Sequence, residues 1–106
     1  MSGTNGLPIL CDLTVFGDNE RRRQRAVLEE LRARVRSVDE LPDGYALALP
    51  PEPYMLQLAA EMIGLESRCC PFLEFRLEVR NGGASVTLSL TGGANVKEFL
   101  RAELHL

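Results

Sequence analysis

Between Pro53 and Arg80 the hydrophobic period of the chain changes once. Met55, Leu58, Met62, Leu65 and Cys69 recur at alternating three- and four-residue steps, which marks one face of a helix. Pro71 lacks an amide hydrogen and stops that helix, so its span is predicted as Pro53 to Cys70. From Leu73 to Arg80 the period is two. Leu73, Phe75, Leu77 and Val79 face one way, and Glu74, Arg76, Glu78 and Arg80 the other. Such a strand belongs to a sheet with one wet face, and helices packed on one side of a mostly antiparallel sheet satisfy it.

The rest of the chain fits this α+β class. Residues 1–8 read as a loose leader. Ile9 to Phe16 alternates, with Ile9, Cys11, Leu13 and Val15 on one side, and predicts a strand. Asp18 suits an N-cap, and Val27, Leu28, Leu31 and Val35 form the stripe of a first helix ending near Val35. Arg36–Leu41 and Tyr45–Leu49 predict a hairpin through Pro42-Asp43-Gly44, with Gly44 accepting positive φ. Asn81-Gly82-Gly83 supplies a second turn, Val86, Leu88 and Leu90 a returning strand, and Val96, Phe99, Leu100 and Leu104 a terminal helix led by Thr91-Gly92-Gly93. The predicted order is β-α-β-β-α-β-β-α, with about five strands and a ferredoxin-like first six elements. The whole of 1–106 is expected to be one domain.

Composition narrows the function classes. A length of 106 residues, 45% of them apolar and 25% charged, fits one compact domain with one core. The net charge of −3 supplies no field for nucleic acid, and the absence of Trp argues against base-stacking platforms. No segment reaches the roughly 20 apolar residues of a membrane helix, and no membrane partner is expected. Three cysteines without an export signal predict reduced thiols and a cytoplasmic protein.

Cys69 and Cys70 are the local feature that folding does not require. Two neighbouring sulfurs can grip a soft ion, attack a disulfide or simply fill space. Glu66 lies one helical turn before both, so a carboxylate and two thiols can converge. The bland reading is equally physical, since free cysteine is among the most buried residue types. The C-terminal end of a helix also disfavours a thiolate, so free amides near Asp18 or a metal must hold the anionic form. A bridge between these two neighbours is disfavoured, because disulfides want Cα atoms farther apart than one peptide unit. A closed zinc site needs four ligands; the one His, His105, is near the chain end, and Cys11, predicted mid-strand, is a distant candidate.

The segment Glu66-Ser67-Arg68-Cys69-Cys70-Pro71-Phe72-Leu73-Glu74-Phe75, together with Leu41-Pro42-Asp43-Gly44-Tyr45, Leu88-Ser89-Leu90-Thr91-Gly92 and Val96-Lys97-Glu98-Phe99-Leu100, resembles a family of small bacterial proteins. These carry a Glu-Arg-x-Cys-Cys-Pro-Phe motif and are similar to segments at the ends of mercury-resistance-type regulators. Ser67 separates Glu66 from Arg68, and Gly93 stands where the pattern has Pro. The resemblance implies an association with metal stress and no particular activity.

Other motifs are better explained as structure. Arg21, Arg22, Arg23, Arg25, Arg32, Arg34 and Arg36 suggest a phosphate patch, but Arg25–Glu29, Glu30–Arg34 and Glu29–Arg32 stand at helix-pairing distances. No Ser-His-Asp set can be drawn, and neither catalytic nor cofactor-binding residues are assigned. The favoured function is a cytoplasmic binding module in which Cys69, Cys70 and Glu66 engage a soft metal (Hg, Cu or Zn) or a thiophilic small ligand. The alternative is a structural or interaction domain with inert buried cysteines, dimerising through its sheet. A thiol redox enzyme ranks third, without Cys-x-x-Cys spacing.

Overall fold

A computed structural model describes residues 11–106. Helix α1 spans Asp18–Arg34, strand β1 Ser37–Leu41, β2 Gly44–Leu49, helix α2 Pro53–Cys69, β3 Glu74–Arg80, β4 Ser85–Thr91 and helix α3 Val96–Leu104. The four strands form one antiparallel sheet in the order β1-β2-β4-β3. The α+β class and the positions of both hairpins are as the sequence predicts, with four strands among the described residues where about five were expected.

The missing strand is the first. Over the described part of Ile9–Phe16, Leu13–Val15 is a short 3-10 turn. The Asp12 carboxylate accepts hydrogen bonds from the Thr14 amide at 3.1 Å and the Thr14 hydroxyl at 2.5 Å. This local bonding competes with a strand ladder and wins over the described residues. Ile9 and Leu10 lie outside the described residues, as does the predicted leader. The ferredoxin-like order needs a strand ahead of α1, and among the described residues there is none.

Helix α1 begins one residue earlier than expected, with Gly17 as N-cap. The Glu20 carboxylate accepts from the Gly17 amide at 3.3 Å. Asp18 and Glu20 in the first turn and Arg32 and Arg34 in the last match the helix dipole. Pro53 opens α2 at a position where its missing N–H costs nothing. Pro71 follows its end, and α2 closes at Cys69 with Cys70 as C-cap.

Register places the core. Val38, Leu47, Leu88 and Leu77 lie in one row across the sheet, and Glu40, Tyr45, Leu90 and Phe75 in another. Leu47, Leu49, Val86, Leu88 and Leu90 are buried against Met55, Leu58 and Met62 of α2 and Val96, Leu100 and Leu104 of α3. Helix α1 packs on α2 through Val27, Leu28 and Leu31. The face bearing Ala46, Ala48, Thr87 and Ser89 is only partly covered.

The turn glycines have different roles. Gly82 and Gly83 take positive φ in the β3–β4 turn, as does Asn81. Gly44 does not; it is the first residue of β2, and a Cβ there would meet the Leu90 carbonyl oxygen at 1.9 Å. It is glycine for close approach of backbones. The junction before α3 also differs from expectation: Thr91 ends β4, and Asn95, with φ of 72°, is the N-cap.

Several arginines of α1 pair across elements, while Arg22 donates along the helix to Asn19 Oδ1. Arg23 bonds Glu61 at 2.6 Å, Arg34 bonds Glu52 at 2.7 Å, and Glu30 accepts the Tyr54 hydroxyl. Arg32 donates to the Glu103 carbonyl, and Arg21 to the Leu13 carbonyl. No helix of the described residues is long and apolar enough to cross a membrane.

Candidate metal centre

The end of α2 and the segment preceding α1 meet at the cysteines. Asp12 donates its amide to the Cys69 carbonyl at 2.8 Å, which lays Cys11 against the helix foot. Arg68 fixes the same segment from outside. Its guanidinium sits 4.9 Å over the Phe16 ring and donates to the Val15 carbonyl at 2.9 Å and to Glu20 at 2.7 Å. Arg68 thus points away from the sulfurs, as helical periodicity predicts.

Cys11 is therefore no distant candidate. Its Sγ and that of Cys70 stand at disulfide distance, with Cα atoms 4.8 Å apart. The strand reading placed Cys11 too far away, and the turn at Leu13–Val15 brings it back. It also corrects the expectation of three reduced thiols: two sulfurs are paired and Cys69 is free. The disfavoured bridge between neighbours does not form.

Cys69 Sγ lies 3.5 Å from Cys70 Sγ, and Glu66 Oε1 lies 3.5 Å from Cys70 Sγ and 4.0 Å from Cys11 Sγ. One ligand atom from each of Cys11, Glu66, Cys69 and Cys70 falls within 4.8 Å of the others. The convergence read from spacing holds. The cluster is sealed from solvent, since Cys69 and Cys70 are each 0% exposed and Glu66 2%. Cys11 alone is half-buried.

Burial governs the electrostatics. It pushes the Glu66 carboxyl above its ordinary range; the hydrogen bond from Gln24 Nε2 at 2.6 Å opposes this, and the nearby Glu103 charge adds to it. The Cys69 thiol is pushed up to about 12, first by burial, then by the charges of Glu66 and Glu103. The expected amide support for a thiolate near Asp18 is not what this thiol experiences. The Gly17 amide is taken by Glu20. A thiol held that high stays protonated at neutral pH, so Cys69 is no activated nucleophile.

Gln24 is the residue that sequence reasoning missed. It is buried on α1, three and four residues before Val27 and Leu28, and its amide holds Glu66 Oε2. A polar side chain in register with an apolar stripe was its signal. Glu66 Oε1, by contrast, faces two bonded sulfurs that carry no hydrogen. The oxygen gains a donor when they are thiols, or a cation when they hold one. No protein-family model, no curated protein and no solved structure matches the chain.

Proposed function

We propose that the chain is a small binding module whose cysteine cluster engages a soft metal or another thiophilic ion. One observation carries the reading: three sulfurs and a carboxylate oxygen from two separate segments converge within 4.8 Å. Thiolate donors select soft ions such as Hg(II), Cu(I) or Zn(II). Cys69, Cys70 and Cys11 are the ligands, Glu66 is a further donor or neighbour, and Gln24 orients Glu66. The bonded Cys11–Cys70 pair is the closed form, and a reductant delivering two electrons and two protons opens it. The resemblance of Glu66–Phe75 to segments of mercury-resistance-type regulators points the same way. A cytoplasmic setting, where such reductants abound, belongs to this proposal.

A structural role with inert cysteines has its own support in the complete burial of Cys69 and Cys70. Thiol counting and metal uptake separate the two. Protein reduced with a trialkylphosphine is expected to bind one Hg(II) per chain with loss of native Ellman reactivity, and the Cys70→Ser variant to lose that stoichiometry. A folded, fully reduced protein that takes up no Hg(II) or Cu(I) refutes the binding module and leaves the structural domain.

A further inference from the structure

We infer that the centre is built for a trivalent thiophilic ion of the arsenic(III) type, held as a neutral trithiolate by Cys11, Cys69 and Cys70. This rests on the reading of the cluster as an ion-binding site and names the class of ion.

The argument is one of net charge in a dry pocket. Every donor except Cys11 is buried, and a net charge left in such a place is strongly disfavoured even after relaxation. The cation adjacent in sequence, Arg68, is engaged outside with Glu20 and the Val15 carbonyl. Glu66 receives only the neutral amide of Gln24, and Glu103 adds a second carboxyl to the surroundings. Among the described residues no cation touches the cluster, so a negative complex is compensated only weakly, by Arg68 across the helix end. Three thiolates around a divalent ion leave one negative charge, and two around Cu(I) leave one as well. Three around a trivalent ion leave none. This ranking is the same whichever charge Glu66 carries, because Glu66 is common to all of them.

Geometry separates the trivalent ion from Hg(II), which is also neutral with two thiolates. Linear two-coordination wants sulfurs on opposite sides of the ion. Here Cys69 and Cys70 lie side by side at 3.5 Å, and Cys11 abuts Cys70. Three sulfurs on one side of a point form the base of a pyramid, the shape adopted by an ion with three ligands and a lone pair.

The chemistry balances without a redox step at arsenic. The phosphine reduces the Cys11–Cys70 bond to two thiols and, with one water, becomes its oxide. Arsenous acid then exchanges three As–O bonds for three As–S bonds; each thiol proton leaves with a hydroxide as water. No net proton is released, so a thiol that resists ionisation is no obstacle to the product.

The test uses the full chain reduced with a trialkylphosphine, arsenite as probe and circular dichroism to confirm folding. Arsenic X-ray absorption is expected to count three sulfur neighbours, and arsenite to protect all three cysteines from alkylation. Cys11→Ser, which leaves the Cys69 and Cys70 thiols in place, is expected to weaken arsenite binding at least about tenfold. Two sulfur neighbours, or undiminished binding by Cys11→Ser, overturns the trithiolate. Uptake of Hg(II) or Zn(II) without arsenite overturns the trivalent assignment and leaves the binding module standing. Failure of every thiophile overturns both.

Discussion

Opening the Cys11–Cys70 pair should weaken the fold by an amount that the chain's topology sets. The two residues are 59 apart in sequence, so the bridge closes a loop containing α1, the first hairpin and α2. The loop-closure relation gives an entropy of about 14 cal/mol/K for that length, or about 4 kcal/mol at 25 °C. A domain of this size holds roughly 5–15 kcal/mol in total, so the reduced protein remains folded with a much smaller margin. With an m-value of about 1.5 kcal/mol/M in urea, the unfolding midpoint falls by about 2–3 M. Urea titration followed by circular dichroism, with and without a trialkylphosphine, measures this directly. Cys69→Ala is the control, because Cys69 is outside the pair and reduction should shift its midpoint by the same interval. A shift smaller than about 0.5 M would refute the reasoning, since it corresponds to less than about 1 kcal/mol and leaves the loop entropically free.

Two further perturbations test the surroundings. Glu66 is held above its ordinary carboxyl value in the fold, so its contribution to stability is fully present below that unfolded value and is lost as pH rises through the folded one. Glu66→Gln keeps an acceptor for Gln24 and removes the ionisation. The variant is expected to be more stable than wild type at pH 7, with the difference vanishing below about pH 4.5; a difference that grows on acidification contradicts the assignment. Gly44→Ala forces a Cβ into the Leu90 carbonyl and should cost at least about 3 kcal/mol. Gly64→Ala, which meets nothing within 4 Å on α2, should gain up to about 1 kcal/mol, and thermal denaturation of the pair decides.

What the sequence made legible was local. Spacing alone puts Glu66, Cys69 and Cys70 at one helix end, because the turn of a helix fixes neighbours three and four apart. Both hairpins follow from period-two runs and their turn residues. Cys11 and Gln24 reach the cluster through tertiary contacts spanning 59 and 42 residues, respectively, which no local pattern encodes. The strand predicted over Ile9–Phe16 failed across its described residues for a related reason. Alternation over so few residues is weak, and Asp12 two residues before Thr14 offered a competing turn. The role of Gly44 was hidden too, since a turn glycine and a close-approach glycine look alike until the neighbouring strand is placed.

The strand order β1-β2-β4-β3 has a kinetic meaning. Two of its three pairings join strands adjacent in the chain, and each can zip from its own turn. Only the contact of Gly44–Leu49 with Val86–Thr91 must be found across a long intervening segment. Within the sheet, the conformational search therefore narrows to a single distant encounter, the slow kind of step in a topology otherwise zipped from local pairings.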